Sequence, residues 1–71
     1  MCIPDPDSFL GKKVRVYCTK SAGGYVITGT FYGFCYDFDD DIEFLEFDVE
    51  VYPDYLNSFT ENEVERIEVL T

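Results

Sequence analysis

The chain has 71 residues, a formal net charge of −10 and no histidine. So short a chain buries only about 60% of its unfolded surface, enough for one domain over residues 1–71; no apolar run nears the roughly 20 residues of a membrane-spanning helix. A field of this sign repels phosphate backbones, so direct nucleic-acid binding is disfavoured and a basic protein surface is the partner it suits.

In chain order, Asp7 or Ser8 is positioned to cap a short helical turn leading into Phe9 and Leu10. From Lys12 to Lys20 apolar and polar residues alternate. Val14, Val16 and Cys18 face one way, and Lys13, Arg15, Tyr17 and Thr19 the other, as in a half-buried strand. Ser21-Ala22-Gly23-Gly24 supplies a turn. A longer strand, rich in β-branched and aromatic residues, runs from Tyr25 to about Tyr36, and Gly29 and Gly33 within it predict a sharp bend. Asp37 to Asp41 reads as a polar tip. The third strand, Ile42 to Tyr52, alternates Leu45, Phe47, Val49 and Val51 with Glu46, Asp48 and Glu50. Pro53-Asp54 marks a turn, and Tyr55 to Phe59 a short fourth strand. Thr60 and Glu63 stand at capping-box spacing around one helical turn. Val64 to Leu70 closes the chain as a fifth strand, with Ile67 and Val69 pointing inward. No segment holds a 3.6-residue period. The expected fold is all-β: a small, five-stranded, strongly bent barrel of the SH3-like or Sm-like kind, with a short N-terminal helical turn and another before the last strand.

Between residues 10 and 37 the chain resembles the Sm-like family, which includes the bacterial Sm-like RNA chaperones. The residues that carry the likeness are Leu10-Gly11-Lys12-Lys13-Val14-Arg15-Val16 and, after a short hairpin, Gly24-Tyr25-Val26-Ile27-Thr28-Gly29-Thr30-Phe31-Tyr32-Gly33-Phe34. The resemblance implies a bent barrel and an oligomer formed through strands four and five, whose open edges would pair. The family's RNA-contacting residues do not carry over. Aligned on Gly29, the aspartate of the first motif falls at Cys35, with Asp37 two positions on. Where the second motif has Arg-Gly, this chain has Thr60-Glu61-Asn62-Glu63.

Three cysteines, Cys2, Cys18 and Cys35, form neither a paired disulfide framework nor a zinc pattern. Cys18 and Cys35 stand in apolar strand contexts, where a thiol acts as a small hydrophobe; Cys2 lies near the terminus, where it can oxidise. The opening Met1-Cys2-Ile3-Pro4-Asp5-Pro6-Asp7 lacks the order of a secretory leader, so the expected compartment is the cytoplasm.

Chemistry is sparsely supplied. Without histidine the usual general base and the commonest metal ligand are missing. No phosphate-cradling loop is present, so no enzyme activity and no cofactor are expected. Asp37, Asp39, Asp41, Glu43 and Asp48 fall at EF-hand positions one, three, five, seven and twelve. The required glycine at position six is Ile42, however, and Asp48 lies in a strand, so a solvated hairpin tip is the reading and no metal is assigned.

The charge is uneven: residues 1–34 carry four bases and two acids, and residues 35–71 carry thirteen acids and one base, Arg66. Such a surface also serves solubility alone. Thirteen Phe and Tyr residues exceed what one small core can enclose, and Tyr32, Phe34 and Tyr36 alternate with Phe31 and Cys35, so some rings must lie outside beside the acids. The candidate partner-binding residues are therefore Tyr32, Phe34, Tyr36, Asp37, Asp39, Asp40, Asp41 and Glu43. Rings among carboxylates suit an Arg- and Lys-rich partner. The leading expectation is a non-catalytic, acidic interaction module, a nucleic-acid mimic that inhibits a basic DNA- or RNA-binding protein in the manner of phage or mobile-element anti-defence proteins. The alternatives are an Sm-like oligomer binding RNA or a small nucleotide, which needs Lys12, Lys13, Arg15, Lys20 and Arg66 to converge, and a structural accessory subunit.

Overall fold

The structure, a computed structural model, describes residues 3, 5–51 and 55–70. The expected turn at Pro53-Asp54, the end of the third strand at Tyr52, and Cys2 lie outside them. Five antiparallel strands, β1 (Lys13–Cys18), β2 (Val26–Asp39), β3 (Ile42–Val51), β4 (Tyr55–Thr60) and β5 (Val64–Val69), form one sheet in the order β4-β3-β2-β1-β5. The all-β expectation holds, as does the strand count. The sheet is bent but open, with β4 and β5 as its two edges rather than a hydrogen-bonded seam.

The bend is built into β2, which serves two partners in turn. Its residues 26–30 pair with β1, from Val26 opposite Tyr17 to Thr30 opposite Lys13; from Thr30 onward it pairs with β3. At the handover the backbones crowd: a Cβ on Gly29 would collide with the Glu50 carbonyl oxygen and would lie 2.8 Å from Val49 Cγ1. A bulge follows at once. Phe31 faces Val49 and Gly33 faces Asp48, so Tyr32 is an extra residue that reverses the in–out phase of the strand beyond it.

The core is a row of aromatic rings flanked by aliphatic residues. Phe9, Phe31, Phe47 and Phe59 contact in sequence, with centroids 5.6, 5.1 and 5.4 Å apart. Val14, Val16 and Cys18 of β1, Leu45 and Val49 of β3, and Val64 of β5 are buried around them. Ile67 is half-buried, whereas Val69, expected inside, remains 42% exposed. Its register opposite Val14 is inward, but it ends an edge strand and has no further neighbour strand to cover it. Val64 is fully buried because a register shift at Tyr17/Cys18 sets it opposite Cys18.

The helical turns are all 3-10. The first spans Pro6–Phe9, with Asp5 at its cap position and Pro6 at its start, so Asp7 and Ser8 lie inside the turn rather than capping it. Proline suits a first helical position, where its missing N–H is no loss. The Ser8 hydroxyl donates to the Asp5 carbonyl at 2.7 Å. Lys20–Ala22 forms the second turn, its Ala22 N–H donating to Thr19 Oγ1, and Gly23 and Gly24 follow at φ 103° and 66°. The third, Glu61–Glu63, precedes β5 as expected: the Glu63 carboxylate accepts from both the N–H and the hydroxyl of Thr60. No helix among the described residues is long and apolar enough to cross a membrane.

Candidate functional site

Directly opposed residues of paired strands share a face of the sheet. On the inner face of the β2–β3 hairpin, Phe34 opposes Phe47, Tyr36 opposes Leu45, and Phe38 opposes Glu43. On the outer face Cys35 opposes Glu46, Asp37 opposes Phe44, and Asp39 opposes Ile42. The hairpin thus sorts the expected binding residues onto two sides: Phe34, Tyr36 and Glu43 inward, Asp37 and Asp39 outward. Asp40 and Asp41 make the turn. Tyr32 sits on the bulge and is exposed.

Strand β2 continues three residues beyond the expected end at Tyr36, and the acidic tip shrinks to Asp40 and Asp41. Both take positive φ, 49° and 66°, the pattern of a two-residue hairpin turn whose twist matches the strands. The Asp37 carboxylate accepts from the Phe38 N–H at 2.8 Å. Asp37, Asp39, Asp41, Glu43 and Asp48 therefore lie on two strands and a tight turn, not around a loop. Among the described residues no group of three or more Cys, Asp or Glu is arranged to hold a metal ion.

The inner face of this hairpin runs past the core. Phe34 still packs against it, 6.5 Å from Phe31, and meets Tyr36 edge-on at 6.1 Å. Beyond them Tyr36 is 53% and Phe38 65% exposed. The surplus of rings expected from composition is accordingly at the surface, and Phe38 joins the group although the sequence reading passed over it. Alternation with Tyr36 was the signal that could have found it.

The outer face carries the second set of acids the sequence reading did not nominate. Glu46, Asp48 and Glu50 occupy alternate positions of β3, roughly 6.8 Å apart along the strand. They are half-buried, and Asp48 accepts from the Ser58 hydroxyl at 2.6 Å. Asp37 and Asp39 continue this side of the hairpin toward the tip and are exposed.

Bases gather at the other end of the same side. Arg15 lies opposite Thr28 and Glu68, and Tyr17 opposite Val26 and Arg66, with Lys13 next along β1. Arg15 pairs with Glu68 at 3.4 Å, and the Arg66 guanidinium sits 4.1 Å from the centre of the Tyr17 ring. Tyr17, Arg66 and Glu65 line an open depression of about 430 Å³.

The two described cysteines differ. Cys18 is buried, and burial, with the nearby Glu63 carboxylate second, pushes its thiol pKa up. Cys35, expected in an apolar setting, is exposed opposite Glu46. The bulge at Tyr32 is the reason: without it, position 35 would share the inward phase of Phe31.

No protein-family model, curated protein or solved structure matches the chain.

Proposed function

We propose that this chain is a non-catalytic, acidic interaction module that docks on the basic surface of a nucleic-acid-binding protein, its carboxylates taking the places of phosphates. One observation carries the reading: Asp37 and Asp39 of β2 and Glu46, Asp48 and Glu50 of β3 share one side of one hairpin at alternate positions. A strand spaces such groups at an interval similar to that of phosphates along an extended single strand. No Lys or Arg occurs between residues 21 and 65, and the base nearest in register, Lys13 opposite Thr30, stands at the Glu50 end of the row. A predominantly acidic field held on a sheet steers a basic partner and selects against acidic ones. The biological setting that fits is a phage- or mobile-element-borne inhibitor of a nuclease, acting in the cytoplasm.

The test is capture from host lysate on the tagged protein, with graded salt elution and competition by DNA. The reading predicts recovery of a nucleic-acid-binding protein that salt releases and DNA displaces. It also predicts that a variant with Asp37→Asn, Asp39→Asn, Glu46→Gln and Glu50→Gln loses that protein. A ternary complex with DNA, or unchanged capture by the variant, would contradict it.

A second reading, an Sm-like assembly that binds RNA or a nucleotide, draws on the basic end, where Lys13, Arg15 and Arg66 share the outer side of β1 and β5. Recovery of RNA with no basic protein, from an oligomer by light scattering, would favour it; a strict monomer would count against it.

A further inference from the structure

The β2–β3 hairpin beyond the bulge is an arm with two unlike sides, and the cover over its inner one gives out past Phe34 and the buried Leu45. The strip Phe34, Tyr36, Phe38 continues the face that elsewhere holds the core, yet Tyr36 and Phe38 stay more than half exposed. Residues 34–44 contribute five carboxylates, Asp37, Asp39, Asp40, Asp41 and Glu43, and no base. Glu43 lies directly opposite Phe38, on the ring side of the arm. Large rings fringed by carboxylates have the composition of a hot spot that lacks only a partner's cations.

Resting on the function proposed above, we infer that this arm is the docking element and that its inner side takes arginine side chains of the partner. A guanidinium is planar and weakly hydrated, so it stacks on a ring and still pairs with a carboxylate beside it; the compact ammonium of lysine cannot do both as well. The ring half of such a contact is present within the chain, where the Arg66 guanidinium lies 4.1 Å from the centre of the Tyr17 ring. A second copy of this chain is a poor occupant, because facing strips would press the Glu43 carboxylates, with the turn acids Asp40 and Asp41 beside them, together in a partly desolvated space. The arm enters a groove ring-side against one wall, with Asp37 and Asp39 turned to the other.

The probes are octa-arginine and octa-lysine, titrated at low salt into the isotopically labelled full chain and followed by NMR. The inference predicts that octa-arginine shifts the resonances of residues 34–44 first and binds about tenfold more tightly than octa-lysine. The pair Tyr36→Ala, Phe38→Ala should erase that preference, and Tyr36→Leu, Phe38→Leu, which keeps apolar bulk without rings, should do the same if the alanine pair folds poorly. Equal binding of both peptides along Glu46, Asp48 and Glu50, unaffected by either pair, would overturn the inference while leaving the acidic module intact. Binding of neither peptide would overturn both. Shifts in residues 34–44 that grow with protein concentration alone, with a doubled mass by light scattering, would overturn it in favour of self-association.

Discussion

The two halves of β2 use the same kind of side chain to opposite ends. In the first half and at the bend, Ile27 and Phe31 point into the space enclosed by the bent sheet, and the Phe31 ring is stacked on Phe47 at 5.1 Å with no exposed surface. In the second half, Phe34, Tyr36 and Phe38 hold the equivalent inward phase after the bulge, but coverage fades residue by residue toward the tip. Burial, not hydrophobicity, makes a residue part of the core. A strand that outruns its sheet's cover converts core-type residues into a surface, and the surface made here is bordered by carboxylates.

That contrast makes its largest prediction at the bend. Phe31→Ala removes the ring that links Phe9, Phe34 and Phe47, and should cost about 3–5 kcal/mol. In a domain of this size the loss approaches the whole stability, so urea denaturation should show an unfolded or barely folded chain. Gly29→Ala comes next. Its methyl would press on the Glu50 carbonyl and on Val49, so a loss of roughly 1–3 kcal/mol is expected. Gly33→Ala is the control: a Cβ there meets nothing within 4 Å, and denaturation should show little change.

How far the sequence foretold these features depends on regularity. In β1 and β3 strict alternation set the buried faces, and Val14, Val16, Leu45, Phe47 and Val49 are where the pattern puts them. The bend at Gly29 was equally legible, because only a residue without a side chain tolerates so close a crossing. The bulge was not. From Phe31 to Tyr36 large groups occupy both phases, so no period marks where one face gives way to the other, and Cys35 was assigned to the wrong side. Val64 was missed for a related reason, since the shift in β5 sets it three residues from Ile67 instead of two or four. Asp37 and Asp39 looked like loop residues because aspartate is a poor strand former. Pairing with β3 outweighs that local preference. Of the candidate site, the residue types and their neighbourhood were readable, but their division between two faces required the register.

Smaller effects sharpen the difference between core and arm. The turn residues Asp40 and Asp41 both adopt the left-handed region, which Asn and Gly enter more readily. The pair Asp40→Asn, Asp41→Gly should therefore stabilise the hairpin by roughly 1 kcal/mol, read as a higher denaturation midpoint. The cysteines give a chemical reading of the same boundary. A thiol reagent applied to the native protein should modify Cys35 and spare Cys18 until unfolding. The raised pKa of Cys18 also sets the sign of a pH effect. Its thiol ionises more readily in the unfolded chain, so stability should fall as pH rises past the ordinary thiol value of 9.0, and Cys18→Ala should lessen that dependence.

The smallest effect tests the central claim, that the inner side of the arm is available for docking and is not needed for folding. Urea denaturation of the Tyr36→Ala, Phe38→Ala pair measures it directly. A midpoint that leaves stability within about 0.5 kcal/mol of the parent chain is the predicted result. A loss of about 2 kcal/mol or more would show that these rings belong to the core, and would contradict the account of the arm as a surface.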